Sequence, residues 1–205
     1  MNVFITVFLL SSSPLVYGAS IQISLSADFV SLNDFDNNPL NAGTSSNGDG
    51  AILQLGYYTA STTVGPFSGD WVAMTGPGTS YPTTIGDSGN QDPGSFKIVV
   101  LFSQGSYSFP EPPVGTPMAL RFYNSTSLGT STYFNAVTDT VAQFNWVAPS
   151  DPTSSAGLSL TFLTAGVVWQ GGVGSAFRTT IPIPEPSSSA LFALVSLGVM
   201  VVRRR

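Results

Sequence analysis

The sequence predicts an all-β protein, an antiparallel β-sandwich of jelly-roll or immunoglobulin-like topology. Three observations carry that expectation. Apolar and polar residues alternate with period two, most plainly over Ile21-Gln22-Ile23-Ser24-Leu25-Ser26-Ala27-Asp28-Phe29, which sorts side chains onto the two faces of a strand. The apolar runs are short, and turn-forming groups separate them: Asn47-Gly48-Asp49-Gly50, Gly76-Pro77-Gly78, Asp92-Pro93-Gly94, Pro110 to Pro113, Asp151-Pro152 and Gly171-Gly172. No stretch before Ser187 carries the apolar stripe of an amphipathic helix.

The strands follow in order. The first is the alternating run from Ile21. Ala51–Tyr58 is the second, apolar and closed by two tyrosines. Phe96–Phe102 is a nearly continuous run of β-branched and aromatic residues behind the Asp92-Pro93-Gly94 turn. Met118–Asn124 follows the proline group, and Thr132–Val137 and Ala142–Val147 add two aromatic-rich segments. Leu158–Leu163 alternates, Val167–Gln170 is a short candidate, and Phe177–Ile181 leads into the C-terminal prolines. From Gly65 to Gly94 the pattern is irregular, apart from an edge hairpin expected within Gly69–Thr75.

The body, residues 19–181, is about 160 residues long, enough to bury one core as a single domain. Its cations are Lys97, Arg121 and Arg178, against ten acids before Glu185. A nucleic-acid partner is excluded by that balance. Only 8% of residues are charged, so hydroxyls and amides must keep the surface wet. The chain has no cysteine and no histidine. That removes disulfides, thiol nucleophiles, His-based zinc sites and the Ser-His-Asp triad.

Both ends read as addresses. Val3 to Leu10 is apolar except for Thr6, and Val16-Tyr17-Gly18 offers small residues for cleavage after Gly18, so residues 1–18 are expected to be a signal peptide. Met1-Asn2 departs from that pattern by supplying no Lys or Arg. At the other end, Ile181-Pro182-Ile183-Pro184-Glu185-Pro186 precedes three serines, an apolar run from Ala190 to Val202, and Arg203-Arg204-Arg205. A transmembrane helix is expected over residues 187–202, about 24 Å long at 1.5 Å per residue. That is short for a hydrocarbon core of roughly 30 Å, but arginines resist translocation and snorkel to the headgroups. The prolines keep the helix from starting before Ser187.

Pro184-Glu185-Pro186, a short apolar helix and a terminal arginine cluster, in that order, resemble the PEP-CTERM sorting signal. The resemblance covers residues 182–205. It implies an exosortase, a membrane-embedded transpeptidase-like enzyme, as partner, with cleavage near Pro184-Glu185-Pro186. It also implies a helix that anchors the chain in the membrane during sorting, and a body delivered to the cell surface or extracellular matrix. Pro184, Glu185, Pro186, Arg203, Arg204 and Arg205 are the expected sorting residues.

The body offers less. Asp34, Asp36 and Asn38 stand at alternate positions, as a calcium loop requires. However, Pro39 and Ser45 occupy positions where such a loop wants Gly and a bidentate Glu. A solvated Asx-rich turn is the competing account, and no other cofactor is expected. Tyr57, Trp71 and Trp146 are candidates for stacking on sugar rings, which would make the body a carbohydrate-binding module acting on extracellular polysaccharide. Core packing is the plainer use of such residues. Glu111 is the only Glu of the body and lies within a proline turn, so no glycosidase pair is legible. The expectation is an exported surface protein without enzymatic activity.

Overall fold

A computed structural model describes residues 20–26, 31–43, 49–62, 64–76, 84–85, 92–103, 108–140, 144–147, 158–160 and 166–183, and these described residues form nine strands. They are β1 (Ser20–Ser26), β2 (Leu53–Tyr58), β3 (Trp71–Ala73), β4 (Lys97–Ser103), β5 (Met118–Tyr123), β6 (Tyr133–Asp139), β7 (Leu158–Leu160), β8 (Val167–Trp169) and β9 (Ile181–Pro182). The expected signal peptide, the expected helix over 187–202 and the arginine cluster lie outside the described residues. Among the described residues, no helix is long and apolar enough to cross a membrane.

The strands form two sheets. The smaller has the order β4-β1-β7, and the larger β3-β2-β5-β6-β8, with β9 also on β6. Period-two alternation decides what lies between them. Ile21, Ile23 and Leu25 of β1 and Val100 and Phe102 of β4 face inward. They share one core with Leu53, Leu55 and Tyr57 of β2, Met118, Leu120 and Phe122 of β5, Val137 of β6 and Trp169 of β8. Two sheets around one apolar layer make the sandwich that the alternation predicts. Each such side chain contributes about 1.5–3 kcal/mol when fully buried.

Three expectations need correction. The pairing is not wholly antiparallel, because β1 and β7 run parallel, with Ile23 opposite Leu158. No tight turn joins these two strands, so none fixes their direction. The segment 144–147 is not a strand. Its Trp146 N–H donates to the Thr116 carbonyl at 2.8 Å, and the Gly115 N–H donates to the Trp146 carbonyl at 2.8 Å. It holds the chain before β5 while Trp146 enters the core. The expected strand Phe177–Ile181 shrinks to β9 because Phe177 sits at φ 63°, a left-handed conformation that ends an extended run.

The outer face of the larger sheet is also closed. Ala119 and Ala136 form a small-residue floor, packed with Tyr58, Phe67 and Trp71. Arg121 projects among these rings. Its guanidinium carbon lies 4.4 Å from the Trp71 ring centroid, 4.4 Å from that of Phe134 and 5.2 Å from that of Tyr58. Arg121 Nη2 donates to the Tyr58 hydroxyl at 2.7 Å, and that hydroxyl donates to Gln170 Oε1 at 2.6 Å. Gln54 Oε1 accepts from the Tyr123 hydroxyl at 2.8 Å and from the Trp71 indole at 3.2 Å. The result is a second, smaller core on a face where alternation alone predicts solvent.

Candidate functional site at the chain exit

The body ends on one edge of β6, where the chain leaves toward the prolines. β6 carries a polar residue where its pattern calls for an apolar one. Asn135 is fully buried. Its Nδ2 donates to the Ser175 carbonyl at 2.9 Å and to the Arg178 carbonyl at 2.8 Å. Its Oδ1 accepts from Ala136 N–H at 2.8 Å and Gly171 N–H at 3.2 Å. Two donors and two acceptor sites are all an Asn amide has. The side chain is therefore saturated, and it ties the connection between β8 and β9 to β6 at three points.

That connection contains a 3-10 turn, Val173–Ser175, and then Phe177, whose ring lies 4.7 Å from that of Trp169. The loop around residues 33–38 braces it from outside. Asn33 N–H donates to the Phe177 carbonyl at 2.7 Å, and Thr179 N–H donates to the Asn33 carbonyl at 3.0 Å. Beyond this clamp, Ile181 pairs with Phe134 and Pro182 with Tyr133. Ile183 N–H then donates to the Thr132 carbonyl at 2.9 Å. Pro182 has no N–H to give, which an edge strand such as β9 tolerates. Phe35, at the tip of the 33–38 loop, stacks on Tyr133 with centroids 4.7 Å apart and planes 20° apart.

The Asx-rich stretch therefore serves this exit. Asp34 Oδ1 accepts from Asn38 N–H at 2.8 Å, and both carboxylate oxygens face the Asn38 amide. Asn37 takes φ 68°, which Asn tolerates better than most residues. Asp34 and Asn38 thus bond each other within the turn, and Asp36 is exposed. Among the described residues, no three of His, Cys, Asp and Glu are grouped to hold a metal ion.

The sugar-stacking candidates are dispersed. Tyr57 is 4% exposed, and its hydroxyl donates to the Pro110 carbonyl at 2.7 Å. Trp146 is 0% exposed and packs edge-on to Phe102, with centroids 5.9 Å apart. Both belong to the core between the sheets, so neither presents a ring face to a sugar. Trp71 is half-buried in the outer-face cluster, against Arg121. Burial also explains the tyrosine chemistry. Desolvation pushes the Tyr57 phenol above its ordinary value of 10.0. Desolvation likewise raises Tyr58 and Tyr123, with the Arg121 charge pulling both partly back.

Sequence reasoning missed Asn135 as the fastener of the exit. Its signal was a lone amide at an inward position of the Tyr133–Asp139 strand. It also missed that Ile181-Pro182-Ile183 joins the sheet, although two isoleucines flanking one residue already have strand spacing.

Comparison with known proteins places a sorting signal at this exit. Residues 182–205 match the family model of the PEP-CTERM protein-sorting motif. The chain thus carries that motif, which implies an exported, membrane-associated sorting substrate with an exosortase as its processing partner. No curated protein and no solved structure matches the chain. The motif begins at Pro182, so its first two residues, Pro182 and Ile183, also belong to the folded edge of β6.

Proposed function

We propose that this chain is an exported cell-surface or matrix protein whose non-enzymatic β body is delivered and released through its tail. The observation that carries the reading is the match of residues 182–205 to the PEP-CTERM sorting motif. In this reading residues 187–202 enter the bilayer, and Arg203, Arg204 and Arg205 stay on the cytoplasmic side because their charge resists transfer. Pro184-Glu185-Pro186 is then offered at the opposite membrane–water boundary. The exosortase cleaves a peptide bond near that triplet. The bond's acyl carbon passes to the enzyme's nucleophile and on to water or an acceptor amine, while the tail departs with the new amino group and its proton. The body's scarcity of charge and its lack of His and Cys suit a structural surface component.

Mass spectrometry of the protein recovered from producing cells tests this directly. The expected product begins after Gly18 and ends near Pro184-Glu185-Pro186, and Glu185→Ala leaves a longer, membrane-bound form. Recovery of the intact chain, residues 1–205, from the cytosol would overturn the reading.

A further inference from the structure

We propose that the folded body itself gates processing, and that Ile181–Ile183 must detach from β6 before the exosortase can take up the motif. The inference rests on the sorting reading above and concerns control of the same site.

Backbone donors are scarce where the chain leaves the body. Over residues 181–186, three of the six residues are prolines, so only Ile181, Ile183 and Glu185 have an N–H. The Ile183 N–H is held by the Thr132 carbonyl at 2.9 Å, and Ile181 and Pro182 are paired with Phe134 and Tyr133. An enzyme that reads a peptide in extended form uses its main-chain groups together with alternate side chains. While β9 is docked, the chain on the body side of the triplet is already engaged in that way, by β6.

The short chain between body and tail points the same way. Only Pro184, Glu185 and Pro186 separate Ile183 from Ser187. Three residues reach at most about 10 Å. A body fastened at Ile183 therefore stands directly over any cleft that grips the triplet. Releasing β9 adds Ile181, Pro182 and Ile183 to the free length and roughly doubles the reach. The clamp at Asn135 and Asn33 acts on residues 171–179, so it stays intact when β9 lifts. The body can give up this strand without unfolding. Openings confined to an edge are the least expensive a fold has.

Two full-length variants, expressed in cells with a working exosortase, test the gate. In the first, six Gly/Ser residues are inserted between Ile183 and Pro184, so the triplet is free while β9 stays docked. In the second, Thr132→Cys and Ile183→Cys are combined. These positions are opposite each other, and because the chain has no other cysteine, one defined cross-link fastens β9. The trimmed fraction is followed against time by immunoblot. The insertion is expected to speed trimming by about tenfold, the factor that corresponds to roughly 1.4 kcal/mol of strand release. The oxidised double-cysteine chain should stay untrimmed until dithiothreitol opens the cross-link. Trimming of the cross-linked chain at the wild-type rate, or no acceleration by the insertion, overturns the gate. Glu185→Ala separates the two ideas. If that variant is trimmed normally, the sorting reading itself fails. If it is blocked while both β9 variants behave as wild type, only the gate fails.

Discussion

The guanidinium carbon of Arg121 lies over the Trp71 ring, 4.4 Å from its centroid, with the Phe134 ring equally close. This pairing makes the outer face of the larger sheet a packed layer. Among the described residues, no carboxylate pairs with this guanidinium, and its buried Nε has no hydrogen-bond partner. The rings and the Tyr58 hydroxyl are what hold it. Arg121→Ala should therefore destabilise the body by about 1–3 kcal/mol, the sum of lost cation–π contact and lost stem packing. Arg121→Lys should recover little of it, because an ammonium lacks the planar face that stacks. Urea unfolding midpoints at unchanged slope check both.

Gly56 lies under the same layer. A Cβ there would meet the Val72 carbonyl oxygen and two carbons of the Trp71 ring at 2.8 Å. The carbonyl is backbone and cannot yield. Gly56→Ala is expected to cost about 1–3 kcal/mol by overpacking. It should also shift indole fluorescence as Trp71 is displaced from Arg121. An unchanged melting temperature would show that the β2–β3 pair is looser than its register implies.

Asn135→Ala removes all four hydrogen bonds of the exit fastener. It also leaves the Ser175 and Arg178 carbonyls and the Gly171 N–H without that partner inside the protein. The expected loss is about 2–4 kcal/mol, since each stranded buried group costs about 1–3 kcal/mol before relaxation. Amide exchange at Ile183 should quicken along with exchange over 171–179. Asn135→Asp should do nearly as badly, because a carboxylate cannot donate to the two carbonyls.

Alkaline titration should weaken the body. Tyr57, Tyr58 and Tyr123 all have phenols raised above 10.0 by burial. Below pH 10 both folded and unfolded states keep these protons, and this contribution to stability is fully present. Above it the unfolded chain ionises first, so the folded state holds more protons and stability falls as pH rises. Absorbance of phenolate near 295 nm should lag the exposed tyrosines and appear together with the unfolding transition. Phenolate that forms fully while the far-ultraviolet signal stays native would contradict the burial of these three rings.

Much of the fold was legible because alternation and turn chemistry are local. The expected Met118–Asn124 became Met118–Tyr123, the expected Phe96–Phe102 became Lys97–Ser103, and the Asp92-Pro93-Gly94 turn keeps Gly94 at φ 78°. The misreadings came from long-range terms. Trp146 was drawn into the core by bonds to residues 115–116, which no strand pattern encodes. Tyr57 and Tyr58 are neighbours on opposite faces of β2, yet both are buried, because Trp71, Phe67 and Arg121 cover the outer one. The address at the tail was legible as a motif. That its first residues are also sheet residues was not, because Thr132 and Ile183 are 51 positions apart in the chain.

β1, the earliest strand among the described residues, is also the one that waits longest for its neighbours. Ser20 of β1 meets Ser103, and Ile23 meets Leu158. These partners trail by 83 and 135 positions, and the second lies near the end of the body. Contacts this distant make for slow folding. The small sheet cannot close until Leu158–Leu160 is present, so most of the body must be available before it forms. The same delay leaves the alternating segment Ser20–Ser26 without its two strand partners while the rest of the body is still being made.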